Sequence, residues 1–335
     1  MSEKLAIIGG GAWATALACL SCRNGLETVL WARNASVVDS LNAGKGNPDY
    51  LPDVIPPSGL RATRDIADTL DGAVAALIVT PAQTVGDITL AMQPHLAAGV
   101  PVAICAKGID CQKLELLSAI AERNLGENPV AVLSGPNFAA ELAKGLPAAA
   151  VVAAHDQDAG KRIVDLLGSQ IFRPYLSDDR NGVELGGAVK NVLAIACGIV
   201  AGKGLGENAK AALITRGLSE MARLIAAKGG HVETAMGLSG VGDLVLTCSS
   251  LQSRNMSLGY GLGQGKTMEE ILGRRRAVTE GVRTADAVRR IAERDGLDLP
   301  ISLAVDAILT GQTGIDDAIQ GLLARPFREE LDRHR

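Results

Sequence analysis

The chain has 335 residues, of which 47% are hydrophobic and 21% are charged, so it can form sizeable cores and is not intrinsically disordered. A formal net charge of −4 argues against a bulk electrostatic partner such as DNA or an anionic membrane. With only 2% aromatic residues, the chain also offers few stacking platforms for single-stranded nucleic acid. The length favours two domains.

The N-terminus leads directly from Met1-Ser2-Glu3-Lys4 into an apolar, strand-like segment at 5–8. This start has neither the basic nor the apolar segment of a secretory signal peptide. We find no apolar stretch of the roughly 20 residues that a membrane span requires. We therefore predict a cytoplasmic protein without a membrane span.

Residues 1–179 alternate short apolar runs with helix-like segments. The predicted strands are 5–8, 28–31, 75–79, 100–105, 131–133, 148–153 and 172–176. The predicted helices among them are 14–23, 83–93, 114–123 and 159–167. Several of the runs are apolar throughout, which is typical of strands covered on both faces. Strands alternating with helices predict an α/β fold with a doubly wound parallel sheet.

The first strand ends in a glycine-rich turn, Gly9-Gly10-Gly11-Ala12-Trp13-Ala14, which opens the first helix. In this G-x-G-x-x-A pattern Gly9 allows the tight turn, Gly11 lets the backbone approach a pyrophosphate, and Ala14 lets the helix pack close to the strand. The helix N-terminus then faces the anion. The turn predicts a Rossmann-like dinucleotide site that includes Ala12 and Trp13.

The second strand ends Trp31-Ala32-Arg33-Asn34, without the Asp or Glu that usually holds the ribose of NAD. Arg33 could instead pair with a 2′-phosphate, so we expect NADP(H) to be accepted. The alternative is a surface Arg at a strand end. Use of both NAD(H) and NADP(H) stays open.

From residue 180 onward the strand pattern gives way to long helical patterns at 183–201, 209–227, 283–294 and 303–310. We therefore predict a domain boundary near Asp179. The dinucleotide-binding domain covers 1–179, and an all-helical, all-α substrate domain covers 180–335. The basic run 274–276 and the tail 325–335 are interpreted as solvated faces.

The cysteines and histidines predict no metal site. Cys19 and Cys22 form a C-x-x-C, but they lie in an apolar helix-like run. No second pair and no His cluster completes a zinc site, so we interpret both as packing thiols.

Several further blocks share a specific order along the chain. They are AKG at 106–108, SGPNFAAE at 134–141, GAVKNV at 187–192, GLGEN at 204–208, LITRG at 213–217, GVGDLVLTC at 240–248, SRN at 253–255 and TEGV at 279–282. Together they resemble the bacterial NAD(P)-dependent sn-glycerol-3-phosphate dehydrogenases from the first strand to about residue 310.

The resemblance implies the same two-domain architecture, a homodimer, and the reversible interconversion of dihydroxyacetone phosphate and sn-glycerol 3-phosphate for phospholipid synthesis. One departure is Ala14, where the family usually has Gly. We expect this methyl group to shift cofactor affinity slightly without loss of activity.

Reduction of a ketone needs a hydride, which the cofactor supplies, and an acid near the carbonyl oxygen. The blocks contain no His. Lys190 lies in the apolar run 183–200, where burial should depress its pKa and suit it to general acid/base chemistry. On the sequence alone, a snorkelling or salt-bridged Lys is at least as good an interpretation. The resemblance assigns the proton donor/acceptor role to Lys190.

Two further charged residues are catalytic candidates. Lys107 is predicted at the carboxyl end of the fourth strand, where doubly wound sheets bind ligands. The resemblance places it near the substrate and the nicotinamide, where its charge favours a developing alkoxide. Asp243 is interpreted either as orienting Lys190 and the substrate hydroxyl or as the N-cap of a helix. Asn191 and Thr247 are second-tier candidates.

Ser253-Arg254-Asn255 supplies a hydroxyl, a fork of donors and an amide suited to a phosphate monoester. The resemblance assigns this triplet to the substrate and Arg254 also to the cofactor. It adds two groups of residues, Gly135 and Asn137 at the substrate and Ala139, Val278 and Glu280 at the cofactor. Glu280 could equally be a solvent-facing residue at a helix start.

Two alternative functions remain. One is a related 3-hydroxyacid or 6-phosphogluconate-type dehydrogenase, which would also use a Lys acid/base. The other is a non-catalytic dinucleotide sensor, which would need the glycine turn but neither Lys190 nor the triplet. The triplet and the Gly-Val-Gly-Asp-Leu turn favour the glycerol phosphate enzyme.

Overall fold

The computed structural model describes residues 2–273, 279–327 and 330. The strands are β1 (Lys4–Ile8), β2 (Glu27–Trp31), β3 (Leu60–Thr63), β4 (Ala73–Ile78), β5 (Val102–Ile104), β6 (Val130–Ser134), β7 (Ala148–Ala154) and β8 (Phe172–Ser177). The helices of this half are α1 (Ala12–Arg23), α2 (Ala35–Asn42), α3 (Ile66–Leu70), α4 (Val85–Met92), α5 (Leu117–Leu125), α6 (Ala139–Ala143) and α7 (Gln157–Leu167).

The second half of the described chain is helical. Its helices are α8 (Arg180–Gly202), α9 (Glu207–Ala227), α10 (Asp243–Ser249), α11 (Arg254–Gly263), α12 (Met268–Leu272), α13 (Glu280–Asp295), α14 (Pro300–Leu309) and α15 (Ile315–Leu323). The predicted boundary at Asp179 falls between β8 and α8, where the Asp179 side chain caps α8 by accepting a hydrogen bond from Gly182 N at 2.9 Å. The basic run 274–276 lies outside the described residues.

The strands form one eight-stranded sheet in the order β3-β2-β1-β4-β5-β6-β7-β8. This confirms the predicted Rossmann-like fold class, because the strand order reverses between β1 and β4, where doubly wound sheets bind ligands. The prediction of a fully parallel sheet is wrong in one place, since β7 runs antiparallel to β6. The sequence reading also missed β3, a short strand that includes the exposed, charged Arg61 rather than an apolar run.

Both faces of the sheet are covered. On β1, Leu5 and Ile7 point into one hydrophobic cluster, whereas Ala6 and Ile8 point into the cluster on the opposite face. This two-sided burial explains why residues 5–8 of β1 are all apolar. Cys19 belongs to the first cluster, and burial raises the pKa of its thiol to about 11. No group of three or more His, Cys, Asp or Glu side chains in the described ranges is arranged to hold a metal ion.

Helix α8 is the centre of the helical half and packs against α9, α10, α11, α13 and α14. Its contact with α11 is unusually close because both helices carry glycines there. A Cβ at Gly198 would lie 2.2 Å from Met256 O, and one at Gly259 would lie 2.0 Å from Ile195 O. The two backbones therefore touch, which fixes the position of α11 relative to the residues on α8.

By length and mean hydropathy α8 could also cross a membrane. The prediction that the chain has no apolar stretch of this length is therefore wrong. In the folded chain 89% of the most apolar segment of α8 is buried, as in the core helix of a globular domain. The apolar character of α8 is therefore accounted for by the helices around it.

A buried carboxylate joins α8 to the α/β half. Glu184 on α8 accepts hydrogen bonds from Leu117 N at 2.6 Å and from Ser118 Oγ at 2.5 Å. It thereby caps the N-terminus of α5, which has no side-chain cap of its own. Arg180, at the start of α8, pairs with Glu122 on α5. These contacts hold the first half of α8 against the α/β half, from Val130 at the start of β6 to Ser134 at its end.

Candidate active site

The carboxyl end of the sheet and one face of α8 meet at a buried network of charged side chains. Lys190, on α8, is 7% exposed. Its Nζ donates hydrogen bonds to Asp243 Oδ1 at 2.5 Å and to Thr247 Oγ1 at 2.8 Å. Lys190 is therefore salt-bridged, as the alternative interpretation of the sequence proposed, and the salt bridge lies inside the protein. Thr247, only a second-tier candidate, is in direct contact with it.

The charge state of Lys190 follows from this environment. Burial lowers the pKa of its ammonium group to about 8, because the low-dielectric interior disfavours the charged form. The carboxylate of Asp243 opposes this shift, whereas the positive charge of Lys107 adds to it. A pKa near 8 allows the side chain to give up and take back a proton near neutral pH.

Asp243 links two lysines. It is fully buried, and its Oδ2 accepts a hydrogen bond from Lys107 Nζ at 2.6 Å. The interpretation as an N-cap is wrong, since α10 begins at Asp243 itself and its N-cap is Gly242. One carboxylate thus holds two ammonium groups in a fixed arrangement, each through its own oxygen.

Lys107 follows β5. This is the strand that was predicted as the fourth, and it is the fifth because β3 was not predicted. Its Nζ also donates to Gly135 O at 2.9 Å, at the end of β6. The loop after Lys107 is held by Gln83, whose side-chain amide donates to Ile109 O at 2.8 Å and accepts from Cys111 N at 2.9 Å. Gln83 was not a sequence candidate, since its role depends on a loop distant in sequence.

Gly135 itself must be glycine. Its φ is +149°, and a Cβ would lie 2.9 Å from Ala150 Cα on β7. Nearby, Asn137 donates to Ala149 O at 2.9 Å, and its Oδ1 has no hydrogen-bond partner among the described residues. Ala139 is the first residue of α6 and is half-buried.

The glycine turn after β1 is shaped for a close ligand. Gly9 has a φ of +146°, and a Cβ there would lie 2.7 Å from Val79 O, so only glycine fits. Gly11 is the N-cap of α1 and supplies no side-chain cap, and a Cβ on it would meet no described heavy atom within 4 Å. The first amides of α1 therefore face open space, as a pyrophosphate requires.

The other predicted residues of this turn lie around it. Ala12 and Trp13 are half-buried in the first turn of α1, and Ala14 is fully buried against the sheet. Arg33 is exposed just beyond the carboxyl end of β2. Asn34, next to it, caps α2 by accepting a hydrogen bond from Ser36 N at 3.0 Å.

The predicted phosphate clamp forms the N-terminus of α11. Ser253 is its N-cap and accepts from Met256 N at 3.2 Å, while Arg254 is the first helical residue and is exposed. Asn255 is engaged within the protein, since its amide donates to Asn191 Oδ1 at 2.8 Å and accepts from Gly281 N at 3.1 Å. Asn255 therefore ties α11 to α8 and α13.

Glu280 begins α13 and is half-buried, so it is not the solvent-facing residue of the alternative reading. Its Oε1 accepts from Ala82 N at 3.2 Å, across from the α/β half. Its Oε2 is buried and finds no partner in the described part of the chain. Burial raises the pKa of this carboxyl group, and the charge of Arg254 opposes the rise. Val278 lies outside the described residues.

Family models match most of the chain. The model described as the N-terminus of NAD-dependent glycerol-3-phosphate dehydrogenase matches residues 4–160, and the model of its C-terminus matches residues 179–320. The chain belongs to the NAD-dependent glycerol-3-phosphate dehydrogenase family. The resemblance drawn from the sequence blocks is thus confirmed, and this family member is an NAD(P)-dependent oxidoreductase.

Individual relatives agree with this assignment. The chain is 50% identical to a glycerol-3-phosphate dehydrogenase (NAD(P)+) of Rhodospirillum rubrum, over 98% of this chain and 94% of the relative. The crystal structure of glycerol-3-phosphate dehydrogenase from Coxiella burnetii superimposes with a TM-score of 0.93 at 40% identity, over 97% of this chain and 99% of that one.

A hydroxyacid dehydrogenase is a more distant structural neighbour of this family member. The 3-hydroxyisobutyrate dehydrogenase of Salmonella typhimurium gives a TM-score of 0.52 at 17% identity, over 92% of this chain and 94% of that one. At this identity the likeness extends to the fold alone.

Proposed function

We propose that this chain reversibly reduces dihydroxyacetone phosphate to sn-glycerol 3-phosphate with NADPH or NADH, and that Lys190 is its general acid/base. The observation that carries the proposal is the buried network of Lys190, Asp243, Lys107 and Thr247 at the carboxyl edge of the sheet, the edge that also carries the open glycine turn. It combines an acid of suitable pKa with a fixed positive charge at the edge of the sheet where ligands bind.

In the proposed reduction, the nicotinamide supplies the hydride to the carbonyl carbon when bound. Lys190 Nζ donates its proton to the carbonyl oxygen and becomes a neutral amine. The Asp243 carboxylate holds the two lysines in place, and the positive charge of Lys107 stabilises the negative charge that builds up on the oxygen. In the oxidation direction the neutral Lys190 accepts the hydroxyl proton.

The described residues fit a dinucleotide, because the turn leaves room for a pyrophosphate and the first amides of α1 face it. Arg33, exposed beside β2, would pair with a 2′-phosphate, so NADPH is accepted together with NADH. The proposed cofactor-binding residues are Gly9, Gly11, Ala12, Trp13, Ala14, Arg33, Lys107, Ala139, Arg254, Val278 and Glu280.

The substrate phosphate would bind at the N-terminus of α11. Arg254 is the exposed basic group of the triplet, and it stands where the helix dipole also favours an anion. In this proposal Ser253 and Asn255 fix the helix end that presents Arg254. The proposed substrate-binding residues are Lys107, Gly135, Asn137, Lys190, Asp243, Ser253, Arg254 and Asn255.

The test is the oxidation of NADPH by the purified protein with dihydroxyacetone phosphate, with 3-oxo acids, or with no substrate. Glycerol phosphate and 6-phosphogluconate are then compared in the reverse direction. The proposal expects turnover with the two glycerol phosphate substrates alone. Turnover only with an oxo acid or with 6-phosphogluconate would favour the related hydroxyacid enzymes, and nucleotide binding without turnover would favour a sensor.

The family assignment also supports a role in supplying the glycerol backbone of phospholipids, in the cytoplasm and as a homodimer. The oligomeric part is tested by light scattering coupled to gel filtration. A mass of twice the chain mass supports the homodimer, and a mass equal to that of one chain contradicts it.

A further inference from the structure

A segment that the reaction does not use lies behind the glycine turn. Between α2 and β3 the chain passes under the turn, and Asn47 in this segment is completely buried. Its Nδ2 donates hydrogen bonds to Gly10 O at 2.9 Å and to Thr15 Oγ1 at 2.8 Å. Asn47 thus contacts the turn and the first turn of α1, and it does not reach the open space next to the Gly11 Cα.

The segment holds Asn47 in place. Gly46 has a φ of +80°, and a Cβ there would lie 2.3 Å from Val54 O, so the segment folds tightly back on itself. The backbone of Asn47 accepts from Leu51 N at 2.9 Å. The side-chain amide is therefore presented to the turn from a fixed support rather than from a flexible loop.

A short chain of hydrogen bonds continues from Asn47 into the turn. Thr15 accepts from Asn47, and its own hydroxyl donates to Gly11 O at 3.0 Å. The Gly10 carbonyl is therefore held by Asn47, and the Gly11 carbonyl is held by Thr15, whose backbone N–H also donates to it at 3.0 Å. In a trans peptide the carbonyl and the following N–H point in opposite directions. Holding these two carbonyls thus turns the N–H groups of Gly11 and Ala12 toward the open side.

We infer that Asn47 is a positioning residue for the pyrophosphate: it orients, through Gly10 and Thr15, the backbone amides that bind the anion. The inference rests on the proposed placement of the pyrophosphate at this turn. A hydrogen bond donated to a peptide carbonyl also polarises that peptide and makes its N–H a better donor. Asn47 therefore strengthens the anion site without touching the ligand.

The choice of an amide at this position is chemically specific. The Nδ2 group makes both contacts with the turn, whereas Oδ1 has no hydrogen-bond partner among the described residues. An aspartate of the same shape would offer no donor to Gly10 O. It would also place a negative charge behind a site for an anion. The position thus requires a neutral donor.

The test is Asn47→Asp, with the dissociation constant of NADPH measured by calorimetry and steady-state kinetics measured with both substrates. We expect the dissociation constant and the KM of NADPH to rise at least about tenfold. The KM of dihydroxyacetone phosphate and the kcat at saturating NADPH should stay within about twofold, because the lysine network is untouched. A dissociation constant within about twofold of that of the wild type would overturn the inference.

Asn42→Asp is the matched control. Asn42 makes the same kind of contact with a backbone, donating to Ala62 O at 2.9 Å and accepting from Ala62 N at 2.8 Å, but at β3. It should lower the melting temperature without changing NADPH affinity. Equal losses of affinity in both variants would mean that Asn47 acts only on stability, which contradicts the inference. Asn47→Ser, which keeps one donor, is expected to lie between the wild type and Asn47→Asp.

Gly11→Val separates this inference from the proposed site. Its side chain would enter the open space over the turn without meeting described protein atoms near its Cβ. Normal NADPH binding by this variant would contradict the placement of the pyrophosphate itself. Loss of binding in Gly11→Val together with normal binding in Asn47→Asp would contradict the role of Asn47 alone.

Discussion

The two halves of the chain present their functional groups in different ways. At the glycine turn the groups are backbone amides at the open end of α1, and they depend on what is absent, a side chain on Gly9 and Gly11. In the helical half the groups are side chains of Lys190 and Asp243, both buried and paired. The first site is shaped by sterics and the second by electrostatics.

This difference predicts which substitutions each site tolerates. The turn should accept changes of charge at exposed positions nearby, but neither an added Cβ on Gly9 nor a buried negative charge at Asn47. The lysine network should accept small shape changes around it but not the loss of a charge, because an unpaired buried charge costs several kcal/mol. The close contact between α8 and α11 supports the site in the helical half, since it fixes Arg254 relative to Lys190.

The largest effect is expected from Lys190→Met. It removes the proposed acid while keeping most of the side-chain volume, so turnover should fall by about a thousandfold or more. NADPH affinity, which depends on the turn, should survive, and calorimetry checks this. Lys203→Met is the control, since Lys203 ends the same helix in an exposed pair with Asp316. Near wild-type turnover in Lys190→Met would refute the acid/base role.

Arg254→Ala should raise the KM of dihydroxyacetone phosphate at least tenfold, because a hydrogen bond to a charged group is worth about 1.5–3 kcal/mol. Initial rates at saturating NADPH measure it. Arg162→Ala removes a half-buried Arg that pairs with Glu3 at the start of β1, at the opposite edge of the sheet, and it should leave the KM unchanged. An unchanged KM in Arg254→Ala would remove this residue from the clamp.

The packing of α8 against α11 is tested by Gly259→Ala. Its Cβ would collide with Ile195 O, so the free energy of unfolding should drop by about 1–3 kcal/mol. Gly321→Ala on α15 is the control, since a Cβ there meets nothing within 4 Å among the described residues, and it should gain about 0.5–1 kcal/mol from helix propensity. Urea unfolding measures both, and equal stabilities would contradict the close contact.

Arg33→Asp tests the turn side of the comparison, where charge should alter preference rather than abolish binding. The ratio of kcat/KM for NADPH to that for NADH is expected to fall at least about tenfold. Lys45→Asp makes the same change of charge at another exposed position of the same domain and should leave the ratio unaltered. A constant ratio in Arg33→Asp would favour the interpretation of Arg33 as an ordinary surface residue.

Local patterns predicted the fold class and the turn, because glycine spacing and apolar runs act within a few residues. The partners of Lys190 could not be derived in this way, since Asp243 is 53 positions away and only the family resemblance joined them. The predicted helix 114–123 begins instead at Leu117, because Leu114 has a φ of +55° that no helix accommodates.

Tertiary packing overrode local propensity elsewhere. Helix α11 was not predicted, since Gly259, Gly261 and Gly263 disfavour an isolated helix, yet these glycines give α11 its close contacts. Asn47 was missed for a related reason. Its contact with Gly10 joins residues 37 positions apart, and nothing in its neighbours indicates that it points under the turn.

The pH dependence of kcat/KM in both directions tests the central claim most directly, namely that burial tunes Lys190 as the acid/base. Reduction needs the protonated ammonium, so it should be lost as the pH rises through about 8, the pKa of Lys190, and oxidation should be gained over the same window. In Asp243→Asn the window should move to lower pH, because the carboxylate raises this pKa. A transition near 10.5, the ordinary lysine value, or no transition in either direction would contradict the account.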